Sequence, residues 1–271
     1  MADQLYFSRH SKLFMEQDGN IWALPVLDGF SFSQATNSSE VTLSEMAASD
    51  GTSRRARQMF TDSYAPAEFS FSMYARPFIA DTTAAEWEDT TANHHAVEEA
   101  LWANFVAVNT WATNTWAEGV TNTETEMTID FTGSNKTVLG TFNLYFVMGG
   151  CAPSGTPTVY KLSDCMLGSA GIDFDIDGIA TLNWSGQAQI ISEDTEPTPT
   201  ITEATTATSN FIRNRLTSLT VTANDTTTFP GAASDGVYNV VLTGGSLTFE
   251  NNLTALIPDN LCTVDQSIGF V

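Results

Sequence analysis

Three aspartates at alternate positions, Asp173, Asp175 and Asp177, form the most conspicuous row of reactive groups in this 271-residue chain. Calcium binding is one chemistry for such a row, because D-x-D-x-D-G opens an EF-hand loop. That loop closes on a bidentate carboxylate at its twelfth position, which here is Trp184. Phe174 and Ile176, between the aspartates, also suit a strand better than a calcium loop. Acid–base catalysis is another, since same-face carboxylates on a strand lie roughly 7 Å apart. Nothing accompanies them: there is no G-x-S-x-G, no H-E-x-x-H and no glycine-rich phosphate loop, and only three histidines. What remains is a face that wants, or at least tolerates, negative charge, because like charges along one strand face repel.

Other groups weaken on the same inspection. His94/Glu98 and His95/Glu99 are i,i+4 pairs that in principle hold a metal. Successive helical positions point about 100° apart, so the pairs read as the first turn of a solvated helix face. Arg54, Arg55 and Arg57 are three of only ten basic residues. In so acidic a chain they read as a solvated or ion-paired face, or as a candidate subunit contact to a neighbour's carboxylates. Cys151, Cys165 and Cys262 are odd in number and widely spaced, which gives neither a disulfide framework nor a zinc pattern. They read as free, mostly buried thiols of a reducing compartment. No catalytic residue, cofactor or metal site is expected.

The elements that must carry these groups are mostly strands. Around the aspartates, Ile172, Phe174 and Ile176 point opposite to the carboxylates, and Gly178 interrupts before a second run through Trp184. Phe30/Phe32 against Ser31/Ser33, Phe69/Phe71/Met73 against Ser70/Ser72/Tyr74, and Phe142 to Met148 alternate in the same way. Asp18-Gly19, Asp28-Gly29 and the cluster at 36–39 are turn signals. One helix is expected near 94–108, with Val97, Ala100, Leu101, Phe105 and Val108 as its stripe, and a helical turn or two at 53–60 capped by Ser53.

Composition sets bounds. Charged residues make up 15%, with 32 acidic against 10 basic, a formal net charge of −22. That excludes a phosphate-clamping nucleic-acid binder, which needs Lys and Arg to release counterions. The start of the chain has no signal-peptide pattern, and no run reaches the roughly 18–20 apolar residues of a membrane span. Synthesis in a cytoplasm is the expectation. Residues 193–210 are rich in Thr, Pro and Glu and read as a linker or long exposed loop, separating a β domain at 1–192 from a second β segment at 211–271. Residues 26–45 and 241–259 share a Val-Leu-x-Gly start, so the second segment reads as a partial repeat or an outer decoration.

Several stretches together resemble the tail tube (major tail) proteins of tailed bacteriophages. They are P-V-L-D-G-F-S-F-S at 25–33, E-V-T-L-S-E at 40–45, R-R-A-R…F at 54–60, P-A-E-F-S-F-S-M-Y-A-R-P-F at 66–78, I-D-F-D-I-D-G-I-A-T-L-N-W-S-G at 172–186 and F-I-R-N-R-L-T at 211–217. The resemblance implies a mainly β protein, a β-sandwich or barrel with one flanking α-helix, whose strands join an inter-subunit β-barrel. It implies a non-enzymatic virion protein of the tail. Rings of six tube domains, as a homohexamer or a two-domain homotrimer, would stack into a tube that meets other tail proteins and lets phage DNA pass without specific binding. On that reading Asp173, Asp175 and Asp177 are the candidate lumen lining, because carboxylates repel phosphate. The alternative is a surface β-sandwich that binds carbohydrate or a host receptor.

Overall fold

The computed structural model describes residues 10–42, 57–79, 94–106, 140–149, 156–200, 211, 213, 219–222, 237–256 and 269–270. Their strands are β1 (Lys12–Gln17), β2 (Asn20–Leu24), β3 (Ser31–Ser33), β4 (Thr36–Thr42), β5 (Arg57–Tyr64), β6 (Ala67–Tyr74), β7 (Pro77–Ile79), β8 (His94–Ala96) and β9 (Phe142–Met148). They continue with β10 (Thr158–Asp175), β11 (Thr181–Ala188), β12 (Ile190–Asp194), β13 (Leu219–Thr222), β14 (Val237–Val240), β15 (Gly244–Glu250), β16 (Ala255–Leu256) and β17 (Gly269–Phe270). The helix α1 spans Glu99–Val106.

Nine strands form one antiparallel sheet, which the 18-residue strand β10 divides into two layers. The first half of β10 lies between β9 and β12, and the first layer runs β12-β10-β9-β1-β2. Its second half lies between β11 and β15, and the second layer runs β15-β10-β11-β6-β3. Register shifts at Leu162/Cys165 and Leu167/Ser169 mark the passage, and Asp164 adopts φ 52° there. A bulge leaves a residue unpaired and bends its strand, which lets one strand turn a corner between packed layers.

The alternating strands aim their apolar residues into the space between layers. Leu13, Met15, Leu144, Phe146 and Leu162 come from the first layer, and Phe69, Phe71, Met73, Leu182 and Trp184 from the second. Ring pairs cross the gap, with Phe32 to Phe146 at 4.7 Å and Phe69 to Phe142 at 6.4 Å between centroids. The helix closes the core through Ala100, Leu101 and Phe105, and Trp102 meets Trp184 at 4.7 Å. Two asparagines fix the helix end. Asn104 exchanges side-chain hydrogen bonds with Gln17, and Asn251 donates to the Phe105 carbonyl at 2.9 Å.

Several expectations need correcting. Thr36 to Ser39 are strand residues of β4 rather than a turn. Arg57 to Phe60 belong to β5, so no helix runs there, and 53–56 lie outside the described residues. The helix starts at Glu99, because His94 and His95 are paired in β8 with β7. Glu98 is buried, so it is not on a solvated face. Of the cysteines, Cys165 is buried and free, and burial pushes its thiol up. Cys151 and Cys262 lie outside the described residues.

The proposed linker is anchored where it is described. Glu193 and Asp194 end strand β12, and Thr200 exchanges hydrogen bonds with Ile21 on β2. Strand β15, from the segment beyond it, lies in the second layer. The turns at Asp18-Gly19 and Asp28-Gly29 occur as read. Asp18 and Gly19 both take positive φ, which suits a two-residue hairpin between β1 and β2.

On the outer face of the first layer, Tyr145 donates to Glu16 Oε2, and the Lys161 ammonium sits 5.2 Å from the Tyr145 ring centre. Burial, then the Glu16 carboxylate, raises the Tyr145 phenol, while Lys161 is raised first by its hydrogen bond to Tyr145. Both raised values favour the folded state below the ordinary range and lose that contribution as pH climbs through the folded values. Tyr145→Phe is therefore expected to cost about 2 kcal/mol at neutral pH, as loss of a hydrogen bond to a charged group does. The gap to the parent should narrow above pH of about 10, checked by chemical denaturation across pH.

Gly186 faces the core opposite Phe69, and a Cβ there would overlap the Met166 carbonyl oxygen and the Phe69 ring. Gly186→Ala should cost about 1–3 kcal/mol through overpacking against backbone, read by thermal unfolding.

Candidate functional site: a polar sheet face

The hairpin that carries the aspartates splits them. Asp173 and Asp175 lie on β10, exposed on the face opposite Ile172 and Phe174, as the alternation requires. Asp177 lies in the turn after the strand, together with Ile176, which is 48% exposed rather than part of the core. The row therefore has two strand carboxylates and one turn carboxylate. Asp175 shapes that turn: Oδ1 accepts from the Ile176 amide at 2.7 Å and its carbonyl accepts from the Gly178 amide at 3.0 Å.

The register shows what surrounds the two strand carboxylates. Asp173 lies opposite Thr181 on β11 and Ser246 on β15, and Asp175 opposite Gly244. The next row aligns Ser72, Asn183, Gly171 and Thr248, and the one beyond it Ser31, Ser70, Ser185, Ser169 and Glu250. Glu68 pairs with Gln187 and Ser33 at the far end. The outer face of the second layer is thus a field of hydroxyls and amides, with Asp173 and Asp175 at one end and the exposed Glu68 and Glu250 at the other. No Lys or Arg occurs in β3, β6, β11, β15 or residues 166–175 of β10.

The polar groups satisfy one another laterally. Ser31 and Ser70 hydroxyls bond at 2.8 Å, Ser72 Oγ donates to Asn183 Oδ1 at 2.6 Å, and Asn183 Nδ2 donates to Asp173 Oδ2. A shallow cleft of about 470 Å³ opens over this face where Gly168 bulges, with Glu68, Ser185, Gln187 and Asn251 in its lining. Among the described residues no group of three or more His, Cys, Asp or Glu is placed to hold a metal ion. Nor is any described helix long and apolar enough to cross a membrane.

The sequence reading named the aspartates but missed Glu68, Glu250 and the serines around them. The signal was present, since each Ser of the F-S-F-S runs must point opposite its Phe. What was missing was the order of strands, which no local pattern carries. Arg54 and Arg55 lie outside the described residues, and Arg57 stands opposite Thr42 at the start of β5.

The mainly β fold with one small helix agrees with the resemblance noted above, and by sequence this chain is similar to a tail tube protein of a bacteriophage. One curated relative is Tail tube protein pb6 of Escherichia phage T5, 26% identical over 257 residues, which covers 92% of this chain. The chain spans about half of that relative, 50% of its length. No protein-family model matches. Two solved structures, the PVC sheath/tube terminator and the PVC sheath–tube complex of an extracellular contractile injection system in the extended state, each cover 72% of this chain. They are covered to 100% and 95% of their own lengths, at 8% identity and TM-scores of 0.37 and 0.36, scores too low to argue from.

Replacing Asp173 by Asn removes a like charge beside Asp175 but weakens the bond accepted from Asn183, and should change stability by no more than about a few tenths of a kcal/mol. Asn183→Ala removes the link between Ser72 and Asp173 and should cost about 1 kcal/mol. Parallel thermal melts check both.

Proposed function

We propose that this chain is a structural, non-enzymatic protein of a phage virion that assembles with copies of itself into the rings of a tail tube. The single observation that carries the reading is the outer face of the second layer. It spans five strands that present carboxylates and hydroxyls and contain no Lys or Arg. Such a face, repeated around a ring, makes a wall of one sign, and a wall of carboxylates repels phosphate. DNA moves along it during ejection without a counterion-release term to hold it. Asp173, Asp175 and the turn residue Asp177 line one end of that wall, and Glu68 and Glu250 the other.

The two edges of the same layer support ring closure. Among the described residues β3 and β15 each pair on one side within the second layer, so each presents an edge row of backbone donors and acceptors. Pairing β3 of one subunit with β15 of the next closes a continuous barrel and removes both edges. Because β15 lies in the same sheet as β6 and β11, we assign it to the same tube domain. Six such domains make a ring, and with one domain from each copy of this chain that ring is a homohexamer. The arginines at 54, 55 and 57 meet carboxylates of an adjoining subunit, and further tail proteins cap the tube.

Electron microscopy of the purified protein tests the assembly. Rings or tubes with six-fold repetition are expected, and uniform monomers at every salt concentration would overturn it. Asp173→Lys with Asp175→Lys is expected to leave tubes intact while lowering DNA delivery, measured as infectivity of reconstituted particles. Unchanged delivery from intact tubes would remove the electrostatic role of the wall.

A further inference from the structure

The first layer has a second apolar cluster on its outer face, made of Phe14, Tyr145, Val147 and Val159 with Ile21 packed beside it. Residues 194–200 cross that face. Asp194 leaves the β12 edge opposite Val159, and Thr200 arrives at Ile21 on β2, the opposite edge. Lys12 on β1 and Ile21 on β2 both meet this segment, and Glu196, Pro197 and Pro199 are half-buried along it.

Two ion pairs and two hydrogen bonds fasten it. Lys12 Nζ meets Glu196 Oε1 at 2.7 Å, and Lys161 Nζ lies 3.8 Å from Asp194 Oδ2. Those two cations are two of the three lysines in the chain. At the far end the Ile21 amide donates to Thr200 Oγ1 at 2.8 Å and the Thr200 amide donates to the Ile21 carbonyl at 3.0 Å. Among the described strands β2 pairs with β1 alone, so this clip also covers backbone groups on a sheet edge. A segment with two prolines has few amides to donate, which leaves side-chain charge to hold its middle.

We infer that residues 195–200 are a clasp, closed by the Lys12–Glu196 and Lys161–Asp194 pairs and opened by ionic strength, that shields an apolar face of the first layer. Exposed ion pairs are weak and screened by salt, yet here they hold a local segment rather than a core. Loosening both shifts the opening equilibrium roughly fivefold.

Hydrogen exchange on the full chain tests this. The Ile21 and Thr200 amides should exchange roughly fivefold faster in high salt than in low salt, while the Leu144 amide in the middle of the layer stays unchanged. Glu196→Lys should speed both amides in low salt, and Lys12→Glu added to it should restore protection by reversing the pair. Exchange at Ile21 and Thr200 that ignores salt, or protection that the reversed pair does not recover, overturns the clasp. The salt comparison on the parent chain decides the matter even where a variant fails to fold.

Discussion

Strand β10 must satisfy hydrogen bonds on both edges along its whole length, and the rest of the molecule is arranged around that demand. An unpaired backbone group inside a core costs as much as a lost hydrogen bond. A straight strand of eighteen residues would run past any single layer of this size. The two register shifts solve the problem by bending it, so that β9 and β12 serve one half and β11 and β15 the other. The core then fills the space between the halves. Asp164, at φ 52°, stands at the bend, a conformation that a non-glycine residue adopts rarely and Asp more readily than most.

The two layers differ in what their outer faces present. The first covers an apolar cluster with residues 194–200, and its lysines pair with carboxylates. On the second the alternate residues are mostly hydroxyls, amides and acids, and Phe211 packs on Tyr74 at the Asp173 end. The same period-two pattern thus produces a sealed face in one layer and a wet one in the other. The strands of the wet face carry Glu68, Asp173, Asp175 and Glu250 with no Lys or Arg among them.

Much of this was legible in the sequence where a signal is local. The alternations at 30–33, 67–74, 142–148 and 172–175 became strands with Phe, Leu and Met inward, and Asp18-Gly19 became a hairpin turn. The failures share a cause. His94 and His95 read as helical because the apolar stripe begins close by, but pairing with β7 placed them in a strand. The arginine-rich stretch had helix-forming residues, and a partner strand overrode that propensity for Arg57 to Phe60. Glu68 and Glu250 join Asp173 on one face only through strand order, which rests on contacts between residues far apart in the chain.

Gln34 ties three segments with one side chain. Its amide nitrogen donates to the Ala65 carbonyl at 2.9 Å and the Gln189 carbonyl at 3.1 Å, and its oxygen accepts from the Ile191 amide at 3.1 Å. Those partners lie at the β5–β6 turn, the β11–β12 junction and the start of β12. The consequence is chemical ageing. Deamidation would replace the nitrogen with a second oxygen, set against two carbonyl oxygens with no proton between them. A slow hydrolysis at one half-buried side chain would thus turn two of the three ties into repulsions, while the Ile191 amide kept its acceptor.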